Sequence, residues 1–196
     1  YEHFEDLGNL NVVHGDVKKT MQNIEKFLET FFEQRKTIPV FLGGEHTITY
    51  GIISGLTKKY NKIDLVVFDA HLDCCDSFAG EELGHLNYLN KLISEKRVEN
   101  VFVIGAREYS KFELEFAKKH KIKIITVENC KKAKIKTKNP TYVSFDLDVL
   151  DFTVAIGTGT PELGGLETKT AINLLNQIIS KNKVIGLDIV ELNPML

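Results

Sequence analysis

The 196-residue chain has three cysteines, four prolines, two methionines and no tryptophan. Cys74 and Cys75 are adjacent, which disfavours a bridge between them, and the odd count with Cys130 argues against a disulfide framework. No Cys-x-x-Cys spacing occurs, so a structural zinc site is not indicated. A reducing cytosol is the expected compartment. No apolar run reaches the roughly 18 residues of a membrane-spanning helix, and no signal-peptide pattern opens the chain. An excess of one charge is also lacking: 25 Lys and Arg against 27 Asp and Glu leave a net charge of −2. That balance provides no basic footprint for nucleic acid or an anionic membrane. Low-complexity segments, internal repeats and domain linkers are absent. So is a phosphate-binding glycine loop, which argues against a phosphohydrolase. The Lys131–Lys136 cluster reads as a solvated surface connection.

Against these absences stand four clusters of acids and histidines, each after a run of strand-like apolar residues. They are Gly43-Gly44-Glu45-His46, Asp69-Ala70-His71-Leu72-Asp73, Asp146-Leu147-Asp148 and Asp188-Ile189-Val190-Glu191. The preceding runs, 39–42, 65–68, 142–145 and 184–187, read as buried strands. Carboxylates near an apolar core are strongly disfavoured unless paired or bound to metal. Their recurrence at the same end of successive strands points to one shared site holding divalent cations.

The patterning predicts helices over 17–34, 47–60, 86–95, 111–119 and 168–179. It predicts strands over 38–42, 63–68, 101–104, 122–127, 142–145 and 184–187. Alternating strands and helices, with near-continuous apolar strands, imply an α/β fold with a parallel sheet covered on both faces. Sites in such sheets form outside the carboxyl ends of the strands. The stretch 151–165 reads as a long loop, rich in glycine and continuous with the Asp146/Asp148 cluster, and long loops inside a domain tend to be functional.

If the strands continue through the clusters, Asp69, His71 and Asp73 share one face, as do Asp146 and Asp148. Mixed imidazole and carboxylate donors suit manganese, zinc or iron(II), and two such cations roughly 3.5–4 Å apart form hydrolytic sites. A water shared by two dications loses a proton near neutral pH.

These residues resemble the motifs of the ureohydrolase family, the arginases and agmatinases. The family patterns GGDH, DAHxD, SxDxD and DxxExxP stand here at 43–46, 69–73, 144–148 and 188–194, and the loop 157–162 is similar too. The likeness runs from about Asn9 to Pro194 and implies a three-layer α/β/α arginase-like fold with a mainly parallel sheet. It also implies two manganese ions, one on His46, Asp69, Asp73 and Asp146, the other on His71, Asp69, Asp146 and Asp148. Further implications are that Asp73 accepts a proton from the attacking hydroxide, Glu191 pairs with the guanidinium and His85 protonates the leaving amine. The products the resemblance implies are urea and an amine.

The segment 76–91 is closer to agmatinases than to arginases, and it has no Arg or Lys before Lys91 to hold an α-carboxylate. Agmatine is therefore the expected substrate, with arginine or another guanidino acid as the alternative. The chain departs from the family in three places. Glu45 replaces an aspartate, Cys74 and Cys75 stand beside the site, and the connection 128–140 is short. Glu45 and the paired cysteines motivate a rival reading, an impaired homologue serving as a binding or assembly subunit. Residues 1–196 read as a single domain lacking the family's N-terminal strand and C-terminal helix. The resemblance implies a homo-oligomer, trimeric or hexameric.

Overall fold

The computed structural model describes residues 4–77, 80 and 82–195. Phe78, Ala79 and Glu81, part of the segment compared with agmatinases, lie outside the described residues. In chain order the elements are α1 (Val17–Gln34), β1 (Val40–Leu42), α2 (Ile48–Thr57), β2 (Asp64–Phe68), α3 (Tyr88–Ser94), β3 (Val101–Ile104), α4 (Lys111–His120), β4 (Lys123–Ile125), α5 (Val127–Cys130), β5 (Thr141–Asp146), a 3₁₀ turn (Leu147–Val149), α6 (Thr168–Lys181) and β6 (Val184–Val190). The strands form one sheet of order β1-β6-β5-β2-β3-β4, and every pairing is parallel.

Successive residues of a strand point to opposite faces, and β2 and β3 divide accordingly. Leu65, Val67, Val101 and Val103 pack with Ile24, Leu28, Ile52 and Leu92 of α1, α2 and α3. Val66, Phe68, Phe102 and Ile104 pack with Ala171, Leu174 and Ile178 of α6 and with Cys130 of α5. Helices thus cover both faces in three α/β/α layers. Within the Lys131–Lys136 connection the lysines are exposed while Ile135 is buried in this second core.

Two expectations change. The run ending at Leu42 is not a buried strand: β1 lies at the sheet edge, with Val40 50% and Leu42 82% exposed. The strand predicted over 122–127 stops at Ile125, because Val127 already starts the short helix α5 behind an extended Thr126.

At the amino end of β2, opposite the acidic clusters, buried Asp64 ties the loop before β5 to the sheet. Its carboxylate accepts from the backbone N–H groups of Lys138 and Asn139 and from the amides of Asn100 and Asn139. Burial raises its pKa, and these hydrogen bonds outweigh burial and hold it below the ordinary 3.8. For a carboxyl lowered on folding, stabilisation is present above the ordinary value and is lost as pH falls through the lowered one. Asp64→Ala is expected to cost about 2 kcal/mol at neutral pH, a fall of roughly 4–8 °C in Tm. Thermal melts from pH 7 down to pH 2 check this, and the gap between variant and parent should narrow only at the acid end.

Candidate metal centre

The four clusters meet at the carboxyl edge of the sheet. His46 lies between β1 and α2, and its Nδ1 is 3.2 Å from Asp69 Oδ2, 3.2 Å from Asp73 Oδ2 and 3.0 Å from Asp146 Oδ2. Beside it, His71 Nδ1 is 2.9 Å from Asp148 Oδ2 and 3.4 Å from Asp69 Oδ1. Two compact ligand groups result, His46 with Asp69 and Asp73, and Asp69 with His71 and Asp148. Asp69 belongs to both.

This convergence is not produced by a continuing strand. β2 ends at Phe68, and Asp73 has a left-handed backbone with φ of 47°. Asp148 sits in the 3₁₀ turn, its N–H donating to Asp146 Oδ1 at 2.8 Å. The alternating-face expectation therefore gives way to two tight turns. Gly105 makes room for both: at φ of 94°, a Cβ there would lie 2.6 Å from Val149 Cγ2 and 3.3 Å from the Asp69 carbonyl oxygen. Left-handed non-glycine residues are costly and concentrate at functional sites. Glu191, directly after β6, is another, at φ of 62°.

The proton on His46 can be placed from its partners. Ser144 Oγ donates to Asp188 Oδ1 at 2.6 Å, so it can only accept from His46 Nε2, 2.9 Å away. Tyr88 Oη also lies 2.9 Å from Nε2. A neutral His46 thus carries its hydrogen on Nε2 and turns the Nδ1 lone pair toward three carboxylates. Nδ1 and Asp69 Oδ2 are buried without a hydrogen-bond partner. Acceptors facing acceptors in a buried space call for a cation among them. The carboxylates also feel one another: burial and the charge of Asp69 push Asp73 up to about 7 and raise Asp146 well above its ordinary value. The donor set of imidazole nitrogens and carboxylate oxygens fits a pair of divalent cations.

Asp188, grouped with the site in the sequence, lies behind it. It is inside β6 rather than after it, fully buried, and accepts from Ser144, Thr49 and Tyr142. Glu191 Oε1 accepts from the His46 backbone N–H at 2.6 Å, and its Oε2 faces the 157–162 loop at Gly159. His85 is about half exposed, and Glu45 touches His85 and Thr47. Cys74 is buried in the core, as small packing residues are, while Cys75 is half-buried. Burial, with Glu113 adding to it, pushes the Cys75 thiol up to about 11, so it stays protonated at neutral pH.

Four contributors had no role assigned from sequence. Ser144 and Tyr88 orient His46. Glu162 brings a carboxylate oxygen to 3.9 Å from His71 Nε2. Arg107 binds the loop 151–165 to the metal edge, donating to the carbonyls of Asp148, Glu162 and Leu163. For Ser144 a signal existed: Tyr142, Ser144 and Asp146 alternate along one face of an otherwise apolar strand.

A cavity of about 130 Å³ opens beside His71 and Asp73, lined also by Cys75, Leu86, Glu108, Tyr109, Ser110 and Glu113. No Lys or Arg is among its lining residues.

A family model described as Arginase family matches residues 2–196. The chain belongs to that family of hydrolases acting on amidino groups. It is 33% identical over 195 residues to an agmatinase from Bacillus anthracis, covering 97% of this chain and 67% of the relative. A guanidinobutyrase from Pseudomonas aeruginosa is 34% identical over 171 residues, covering 80% of this chain and 53% of the relative. Proclavaminate amidino hydrolase from Streptomyces clavuligerus superposes with a TM-score of 0.86 at 25% identity, over 95% of this chain and 66% of that one. The chain thus spans about two thirds of the length of the agmatinase relative. Among the described residues no helix is long and apolar enough to cross a membrane.

Proposed function

We propose that this chain is a dinuclear manganese hydrolase that converts agmatine and water to putrescine and urea. The observation that carries the reading is the pair of ligand groups sharing Asp69, with the lone pair of His46 Nδ1 turned into one of them. In this reading His46, Asp69, Asp73 and Asp146 hold one ion, and His71, Asp69, Asp146 and Asp148 hold the other. When bound, such ions supply Lewis acidity and a water that ionises near neutral pH. An oxygen-rich set with two imidazoles suits manganese.

The protein's own groups do the rest. Glu191, fixed through Oε1 by the His46 N–H, offers Oε2 to the planar guanidinium, whose N–H groups match a carboxylate. Asp73, whose Oδ2 stands 3.2 Å from His46 Nδ1 at the ligand group, takes up the proton released at the attacking water. His85 gives a proton to the departing amine nitrogen, and imidazole is suited to that near pH 7. Glu108, exposed among the lining residues of the cavity, favours a cationic tail over a carboxylate, which supports agmatine over arginine or guanidinobutyrate. The three free thiols suit a reducing cytosol.

The test is urea release from agmatine, arginine and guanidinobutyrate by manganese-loaded protein, alongside metal analysis. Agmatine is expected to be hydrolysed with the highest kcat/KM. Two bound manganese ions with no urea from any guanidino compound would overturn the enzyme reading in favour of a binding subunit.

A further inference from the structure

Glu45 stands next to a proposed metal ligand, but it turns away from the ligand groups. Its Oε1 accepts three hydrogen bonds: from His85 Nδ1 at 2.8 Å, from the His85 backbone N–H at 2.9 Å and from Thr47 Oγ1 at 2.8 Å. The first two grip one residue by its main chain and its ring together. We propose that Glu45 is the positioning residue for His85, locking its ring as the Nδ1–H tautomer with Nε2 as the atom that exchanges the proton. This rests on the reading of His85 as the proton donor to the leaving amine.

The argument is one of donor and acceptor. An ionised carboxylate only accepts, so the nitrogen facing it must carry hydrogen, and a neutral ring then has its lone pair on Nε2. Holding the other ring nitrogen is the usual way a histidine's tautomer and direction are set. His85 needs such a hold. It lies in the turn before α3, where Gly84 N–H donates to Asn87 Oδ1 and Asn87 N–H to the Gly84 carbonyl, and it is not part of either core. Glu45 comes from the turn after β1, so the contact joins two loops 40 residues apart. An ordinary exposed ion pair explains the contact less well. Such pairs contribute little and use flexible ends, whereas here a backbone N–H and a ring N–H share one oxygen that Thr47 also steadies. The glutamate at this position, where the resembling family has aspartate, gives the carboxylate one more methylene of reach toward the 82–87 turn.

The test separates this role from simple packing. In ¹⁵N-labelled full chain, two-bond ¹H–¹⁵N correlations of the imidazoles, with His85 identified by its loss in His85→Ala, are expected to show the Nδ1–H pattern. Glu45→Ala is expected to abolish that pattern and to lower kcat about tenfold, the scale of losing a histidine's orienting partner. KM should stay within about twofold, since uniform binding is untouched. Glu45→Gln, whose amide oxygen can still accept, is expected to restore the Nδ1–H pattern and most of kcat. An unchanged tautomer in Glu45→Ala overturns the inference, as does a loss that falls on KM alone. If the parent protein releases no urea, the catalytic reading of His85 fails by itself, and the spectra still decide whether Glu45 sets the ring.

Discussion

Asp69→Asn is expected to reduce urea release at least about 10³-fold, equivalent to about 4 kcal/mol of barrier. Asp69 belongs to both compact ligand groups, and with Asp146 it would touch both ions. A carboxylate held between two divalent cations stays ionised, and in this reading Asp69 is such a group. The amide keeps the shape and removes the negative charge that both groups share. It also puts an N–H₂ donor where a bridging acceptor stood. Metal content should fall from two manganese ions per chain to less than one after dialysis, with the far-ultraviolet circular dichroism unchanged. Full metal content together with full activity would contradict the shared-ligand assignment. A chelator should reproduce the loss in the parent protein, and added manganese should reverse it there and not in the variant.

Asp188→Ala is expected to be the most damaging substitution outside the ligand groups. Three hydroxyls, from Ser144, Thr49 and Tyr142, donate to this buried carboxylate. Removing it strands them in a dry interior, at a cost of about 3 kcal/mol and roughly 6–12 °C in Tm. The second consequence is chemical. Ser144 donates to Asp188 and therefore accepts from His46, which keeps the His46 lone pair on Nδ1. With Asp188 gone, Ser144 can donate to Nε2 instead, and the ring can turn over to the tautomer with hydrogen on Nδ1. Manganese affinity is expected to weaken about 10–100-fold, read by titration below the lowered melting point. Asp188→Asn is the control: it refills the volume and returns one acceptor, so it should recover much of the stability and less of the affinity. Equal affinity in all three proteins would remove Asp188 from the orientation of His46.

Much of the fold was legible along the chain. Val101–Ile104 was delimited as a strand and Val17–Gln34 as a helix from apolar spacing alone, because buried faces impose their period on the sequence. The same pattern could not tell an edge from a centre. β1 carries the same apolar letters as β2, Val, Leu and Phe, yet only the strand order reveals that one side of β1 has no neighbouring strand among the described residues. Val40 and Leu42, two apart and so on one face, are exposed because that face is left uncovered at this edge, which their composition does not show.

The sequence by itself determined the alternating architecture, the carboxyl edge as the place of the site, and the acids and histidines gathered there. Charged groups ending apolar strands are costly without a common purpose, and that cost is visible in one dimension. The tertiary structure alone decided which atoms face one another. Turns at Asp73 and in the 3₁₀ segment, rather than strand alternation, bring Asp69 into both ligand groups. Ser144, 98 residues along the chain from His46, and Asp188, farther still, set which nitrogen of its ring is bare. Glu45 accepts hydrogen bonds from His85, 40 residues away in the chain. Hydrogen-bond direction depends on the order of donors across loops that touch only after folding, and no local pattern of residues encodes that order.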